Sequence, residues 1–212
     1  MEKAFSLLGL FILMAGCEIR PLDPETGKAI IEEARQAFDA PSFVEENWEA
    51  RVLPTIRNDA VALEVLMAEL RADPEAASAK YGHREGTRPY NFMVRGTGRV
   101  LEADTTSRAG LLRLDLPPYD DASDISLQMG PVIRGTALRD ALPFITFNQF
   151  VNQLEYANVS NAMHTRLVET VLAEVDPKAL LSQEISFSGV FTLRRLNALL
   201  ITPVEIRVEG AE

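Results

Sequence analysis

The sequence is poor in the side chains that bind metals or carry out nucleophilic catalysis. Its 212 residues include one cysteine and two histidines, His83 and His164, too few for a zinc site of the usual kind. There is no G-x-S-x-G nucleophile elbow. The segment Gly96-Thr97-Gly98 lacks the third glycine of a dinucleotide-binding loop and is interpreted as a bend in a strand. We therefore expect no catalytic residues, no metal and no cofactor, and predict that the protein is not an enzyme.

Basic residues are also scarce. Lysine and arginine number 21 against 31 aspartates and glutamates, which gives a formal net charge of −10. A nucleic-acid-binding surface needs positive charge, so nucleic acid is not an expected partner. One group of carboxylates lacks the spacing of a calcium-binding EF-hand and is interpreted as a solvated turn. This group consists of Asp115, Asp120, Asp121 and Asp124.

The N-terminus carries an apolar run, residues 4–16, that is too short to span a membrane comfortably and ends in small residues before the only cysteine. That order is typical of a secretory signal peptide. The segment Met14-Ala15-Gly16-Cys17 resembles a bacterial lipobox, which implies that residues 1–16 are removed and that Cys17 is acylated. A membrane-anchor helix with an incidental cysteine is the alternative. Lipid on Cys17 would hold the protein on the periplasmic face of the inner or the outer membrane.

Prolines and a glycine in residues 17–27 predict an extended tether, followed by a helical region over residues 28–82. Apolar spacing predicts four helices in this region, at 28–38, 42–53, 55–72 and 74–80. The second helix begins with Ser42 as a possible cap and is bounded by Pro54, and the fourth is capped by Asp73. The region is too small to be stable alone, so we expect it to pack on the rest of the chain.

The apolar period changes to that of strands in the second part of the chain. Five strands are predicted between turn signals, at 90–104, 111–116, 124–133, 184–193 and 199–208. A long helix falls between the third and fourth of them. This order predicts an α+β fold in which the helical region is followed by an OB-like five-stranded barrel, residues 83–212.

The long helix is predicted at 147–174 from its start signal and its period. Thr146 and Gln149 have the spacing of a capping box. Apolar residues then follow mostly at steps of three or four, as one buried helix face requires, and they include Val151 and Leu154.

Polar side chains concentrate around the start of this helix. They are Arg134, Thr136, Arg139 and Asp140 after the third strand, and Asn148 and Asn152 on the helix. Arginine forks and side-chain amides can hydrogen-bond sugar hydroxyls or carboxylates, so these six residues are candidates for binding a small polar ligand or a partner peptide. Phe144 or Tyr156 would supply a flat apolar wall. The alternative is structural: Arg139 pairs with Asp140, and the other groups satisfy loop carbonyls.

The run from Gly130 to Ala157, GPVIRGTALRDALPFITFNQFVNQLEYA, resembles the predicted periplasmic lipoproteins of domain-of-unknown-function family 2291. The C-x-I-x-P-L-D-P start at Cys17 and the Y-G and G-T-G-R-V segments agree with that family. Members tend to be encoded beside sugar ABC-transport systems. The resemblance therefore implies an accessory role in solute uptake, with a sugar-binding protein or an ABC transporter as a possible partner, and it defines no catalytic residues.

Three functions are compatible with the sequence. The first hypothesis is a non-enzymatic, lipid-anchored accessory or binding component of sugar uptake. The second is an enzyme acting on envelope glycans, with Asp140 or Glu155 as acid or base and a second carboxyl about 5 to 9.5 Å away. The third is a structural envelope lipoprotein.

Overall fold

The computed structural model describes residues 38–209, which begin with helices and continue as a sheet. The predicted signal peptide 1–16, the lipid-attachment residue Cys17, the tether 17–27 and the helix predicted from residue 28 lie outside the described residues. Between residues 38 and 209, no helix combines the length and the apolar character needed to cross a membrane.

The described chain opens with one continuous helical segment. It consists of α1 (Ala40–Asn47), a π-helical turn (Trp48–Val52) and α2 (Leu53–Asp59). The segment starts before Ser42, whose hydroxyl donates to Asp39. The predicted boundary at Pro54 is wrong, because the Leu53 N–H already donates to the carbonyl of Trp48. This wider turn takes the carbonyls before the proline out of the usual register, and the helix can continue past it.

The helix predicted at 55–72 is interrupted by a two-residue strand. The backbone becomes extended at Ala60, and β1 (Val61–Ala62) pairs in parallel with Val94 and Arg95. The Arg95 guanidinium donates to the Ala60 carbonyl, so a side chain takes an acceptor that a continuous helix would have used. The prediction of one helix is therefore wrong because a residue far along the chain competes for its backbone.

The helical region is completed by α3 (Leu63–Ala72) and α4 (Pro74–Tyr81). The Asp73 carboxylate accepts from the backbone N–H groups of Glu75 and Ala76, so Asp73 caps α4 as predicted. The apolar residues on which the helix at 55–72 was predicted are buried despite the interruption. They are Ile56, Ala60, Leu63, Leu66, Met67 and Leu70.

Within residues 38–209, six strands form one sheet, and the five longer ones lie close to the predicted strands. They are β2 (Asn91–Asp104), β3 (Leu111–Asp115), β4 (Ile125–Gln128), β5 (Glu184–Thr192) and β6 (Leu199–Val208). The strand order is β1-β2-β3-β4-β6-β5, and β2 also pairs with β5, so strands β2 to β6 form a closed ring. β2 completes this ring because it pairs with β5 up to Arg99 and with β3 from Arg99 onward. The prediction of five strands omitted β1.

The third predicted strand, 124–133, is shorter than expected. β4 ends at Gln128, whose buried amide donates to the Arg134 carbonyl and accepts from the Arg134 N–H. Gly130 turns the chain with a φ of 69°, a backbone conformation that favours glycine. The chain after β4 therefore folds back along the end of the strand instead of extending it.

The long helix begins later than residue 147. The Thr146 N–H does donate to the Gln149 side chain at 3.0 Å, but this capping-box contact closes only a short 3₁₀ turn, Phe147–Gln149. Asn152 caps the main helix instead, by accepting from the Glu155 N–H at 2.9 Å. The main helix is α6 (Gln153–Leu167), which continues into a π-helical turn (Val168–Leu172).

α6 packs against α1, and its buried face differs from the predicted one. Val151 and Leu154 are 61% and 69% exposed, so the prediction that they lie on the buried face is wrong. Val151 lies before α6, and Leu154 comes nine residues before the buried Met163, a spacing that places the two on opposite faces of a helix with 3.6 residues per turn. The buried apolar residues of α6 are Tyr156, Val159, Met163 and Leu167.

Candidate functional site

Arg139 lies in α5 (Ala137–Asp140), a single helical turn between β4 and α6. Its side chain is only 6% exposed. Nε donates to the Asp140 carboxylate at 2.7 Å, and a terminal nitrogen donates to the Tyr156 carbonyl at 2.8 Å. The guanidinium carbon lies 3.5 Å from the centroid of the Tyr156 ring. Arg139 therefore joins α5 to α6 through an ion pair, hydrogen bonds and a cation–π contact.

Asp140 is held by three neighbours. One carboxylate oxygen accepts from Arg139 at 2.7 Å and from the Tyr156 hydroxyl at 3.2 Å, and the other accepts from the Thr136 hydroxyl at 2.5 Å. Burial, and then the charge of Asp140, raise the pKa of Tyr156, so the phenol stays protonated and remains a donor near neutral pH. The hydrogen-bonding capacity of Asp140 is thus largely used within the protein.

An open cleft of about 470 Å³ lies beside Tyr156. Three of the six predicted polar residues line it, Thr136, Arg139 and Asp140. Its other lining residues include Arg88, Asn91, Phe147, Thr192 and Arg194. A smaller cavity of about 260 Å³ adjoins the first and shares Arg88, Asn91, Asp140 and Tyr156 with it. We call the two cavities together the Tyr156 cleft.

The other three predicted residues do not line the Tyr156 cleft. The Arg134 side chain is exposed, and this residue contributes to the fold through its backbone. Asn148 is exposed as well. Asn152 is used as the cap of α6, and Glu155 accepts from the Val151 N–H at 3.0 Å. The predicted cluster therefore divides into a cleft-lining half and a half that serves local structure or faces solvent.

The cleft also contains residues that the sequence did not single out. Asn91 is 4% exposed and accepts from the Thr192 hydroxyl at 2.6 Å. The two residues are opposite each other in the pairing of β2 with β5. Arg88 precedes β2, and Arg194 follows β5. No local motif marks these residues, because only the strand register places them beside α5 and α6.

A separate cavity of about 680 Å³ lies between α3 and the loops that follow β3 and β5. Its lining combines apolar residues with four charged ones, Glu64, Arg71, Asp120 and Asp124. None of the polar residues predicted around the start of the long helix lines it. We take the Tyr156 cleft as the candidate site because buried charged and aromatic groups, joined by hydrogen bonds, form its floor.

His164 lies on α6 near the candidate site, and burial, followed by the charge of Arg139, lowers its pKa. The unfolded chain therefore binds this proton more readily than the folded protein. Stability should rise with pH up to about pH 6.5, the ordinary histidine value, and then level off. Urea denaturation across this range is expected to show the rise in the wild type and a flatter profile in His164→Gln. The His83→Gln variant retains His164 and should keep the rise; an identical loss in both variants would contradict the assignment.

Comparison with known proteins adds a family and a fold. A family model described as predicted periplasmic lipoprotein, domain of unknown function 2291, matches residues 7–207. No curated protein matches the chain. The structure is similar to the crystal structure of an OB-fold protein from Thermotoga maritima, with a TM-score of 0.65 and 16% identity over 82% of this chain and 100% of that chain. At this identity the similarity shows the fold alone. It confirms a mixed helix and sheet fold related to the OB-fold. In the described part of the chain the sheet has six strands rather than the predicted five.

Proposed function

This chain belongs to domain-of-unknown-function family 2291, the predicted periplasmic lipoproteins, and we propose that it is a non-enzymatic binding component of sugar uptake. The family match confirms the resemblance and the periplasmic lipoprotein localisation predicted from the sequence, and it implies association with a membrane. In this proposal Cys17 carries the lipid. The partner is a sugar-binding protein or an ABC transporter, as the resemblance implies.

The Tyr156 cleft is the observation that supports a binding function. The rings of Phe147 and Tyr156 lie nearly perpendicular, at 85°, with centroids 5.6 Å apart. Phe147 is half-buried and offers a flat apolar face at the cleft. Arginine, amide and hydroxyl groups surround this face. Ligand sites commonly combine an apolar surface with a few convergent polar groups, and a sugar needs both for its ring face and its hydroxyls.

The bonding of the two candidate carboxylates favours binding over glycan hydrolysis. Asp140 accepts from Arg139, Thr136 and Tyr156, so its charge and its lone pairs are already engaged. Glu155 accepts a backbone N–H at the start of α6 and lies outside the residues that line the Tyr156 cleft. A general acid or base must reach the proton that it transfers, and these contacts instead support a structural role for both carboxylates.

We expect the full-length protein, purified in detergent, to be stabilised against thermal unfolding by at least one monosaccharide from a neutral and acidic panel. A sugar at 100 times its Kd would add about 2.7 kcal/mol to the free energy of unfolding. Phe147→Leu keeps apolar volume but removes the flat face, so it should weaken sugar binding by about tenfold. Isothermal titration calorimetry measures this change.

Asn148→Ala is the matched control for Phe147→Leu, because Asn148 is the next residue, is exposed and lies outside the cleft. This variant should bind sugar as the wild type does. Cross-linking and pull-down from membranes should also recover a sugar-binding protein or a transporter subunit. A protein that shows no thermal shift with any sugar and recovers neither partner would contradict the proposed function.

A further inference from the structure

The Tyr156 cleft is positively charged in an otherwise acidic protein. Its two cavities are lined by four arginines and two carboxylates, a surplus of two positive charges, whereas the whole chain carries −10. The arginines are Arg84, Arg88, Arg139 and Arg194, and the carboxylates are Glu85 and Asp140. A concave site lined by one sign of charge concentrates ligands of the opposite sign.

The four arginines differ in how far their donors are used by the protein. Arg139 is buried and bonded to Asp140 and Tyr156. Arg88 remains 46% exposed, and its contacts with Glu85 at 3.3 Å and with the Tyr156 hydroxyl at 3.4 Å are both long. Arg84 lies over the ring of Tyr90, with its guanidinium carbon 4.3 Å from the ring centroid.

Arg194 is exposed, and its guanidinium makes no hydrogen bond or ion pair with any group in residues 38–209. Arg88 and Arg194 therefore both face the larger cavity with donors available to a ligand. Their guanidinium groups match the planar oxygen pairs of a carboxylate or the oxygens of a phosphate.

We propose that the Tyr156 cleft binds a sugar that carries a carboxylate or a phosphate, with Arg88 and Arg194 holding the anionic group. This inference rests on the proposed sugar-binding function and specifies the class of ligand. The anion offsets the charge surplus that a neutral sugar leaves uncompensated. Asn91 and Thr192 line the same cleft, and the Thr192 hydroxyl, which donates to Asn91, can still accept a hydrogen bond from a sugar hydroxyl.

The separate cavity beside α3 provides an internal comparison, because its charge has the opposite sign. Arg71 is the one cation among its lining residues, against the carboxylates Glu64, Asp120 and Asp124. An anionic ligand should therefore avoid that cavity and enter the Tyr156 cleft. Arg71→Gln consequently serves as a control that removes a cavity arginine of the same type without touching the proposed site.

The test is calorimetric titration of the full-length protein with a matched set of probes: glucose, glucuronate, glucose 6-phosphate and inorganic phosphate. One or both charged sugars should bind at least tenfold tighter than glucose, and their affinity should fall as salt is raised. Arg88→Gln and Arg194→Gln should each weaken binding of the charged sugar by about tenfold more than they weaken binding of glucose. Arg71→Gln and Arg134→Gln should behave as the wild type for every probe.

The outcomes separate this inference from the function on which it rests. Equal affinity for glucose and the charged sugars, unchanged by either cleft variant, would contradict the proposed preference for an anionic sugar. Sugar binding itself would still stand. Inorganic phosphate bound as tightly as glucose 6-phosphate, and weakened by Arg194→Gln, would support the anion site but count against sugar binding. If Arg71→Gln rather than Arg194→Gln weakens binding of the charged sugars, the anion site does not lie in the Tyr156 cleft.

Discussion

Arg139→Met is expected to lower the free energy of unfolding by about 3 to 5 kcal/mol, the cost of removing one member of a buried ion pair. The Arg139 and Asp140 side chains are 6% and 16% exposed, so little water can replace the lost guanidinium. The substitution also removes the donor to the Tyr156 carbonyl and the cation–π contact with its ring. Methionine fills similar volume, so the loss reports on charge and hydrogen bonds rather than on a cavity.

Urea denaturation at neutral pH measures this loss, and a double-mutant cycle identifies its origin. Asp140→Leu added to Arg139→Met removes the stranded carboxylate and should recover part of the stability. Arg134→Met is the control, because Arg134 is exposed and nearby in sequence; it should stay within about 0.5 kcal/mol of the wild type. Equal stability of Arg139→Met and Arg134→Met would contradict a structural role for the buried pair. Because Arg139 supports the fold, the ligand tests use the rim residues Arg88 and Arg194 instead.

The sequence predicted those parts of the fold that depend on neighbouring residues. The five longer strands, the buried face of the helical region and the Asp73 cap all follow from apolar period or local hydrogen bonding. The interruption at Ala60 does not, because its cause is Arg95 on β2, far along the chain. Likewise the capping box at Thr146 forms as predicted, but nothing in its spacing shows that it closes one 3₁₀ turn before α6 begins.

The candidate site shows the same division. Thr136, Arg139 and Asp140 are close in the sequence, so their convergence was predictable from their position between a strand and a helix. Arg88 and Arg194 reach the same cleft only because β2 pairs with β5. No short segment of the sequence indicates the register of that pairing. Arg88 and Arg194 were therefore missed, whereas Thr136, Arg139 and Asp140 were found.

The acidic cluster that begins at the last residue of β3 is the clearest correction, because one of its members is not solvated. Asp115 is 0% exposed, and its carboxylate lies 2.9 Å from Arg99. It also accepts from the backbone N–H groups of Asp120 and Asp121, at 3.3 and 2.9 Å. A single buried carboxylate thus ties the loop after β3 to β2, where a turn facing water was predicted.

Asp115→Asn is therefore expected to melt about 10 °C below the wild type near neutral pH, since it breaks a buried charge network. The asparagine amide has nearly the same shape, but it cannot form the ion pair with Arg99. It also turns an N–H donor toward a site where Asp120 and Asp121 already present backbone donors, or leaves one of those donors unsatisfied. Differential scanning calorimetry of the wild type and the variant measures the shift.

The pH dependence gives this prediction a second, independent readout. Burial acts to raise the pKa of Asp115, but the hydrogen bond from Arg99 and those from the backbone outweigh it, and the pKa is lowered. The folded protein thus binds this proton less readily than the unfolded chain, in which an aspartate titrates at about pH 3.9. The stabilisation is present above that pH and is lost as the pH falls through the lower folded pKa. The wild type should therefore lose stability below about pH 4, and Asp115→Asn should show a shallower decline.

Asp121→Asn is the matched control, because Asp121 contacts the same Arg99 at 2.7 Å but is 84% exposed. An exposed ion pair contributes little, so this variant should melt within about 2 °C of the wild type and keep its acid profile. The difference between the two melting temperatures isolates the effect of burial, since both variants change an aspartate to asparagine beside the same arginine. If the two variants have the same melting temperature, Asp115 does not hold the loop in place, and the loop behaves as the solvated turn that its composition suggested.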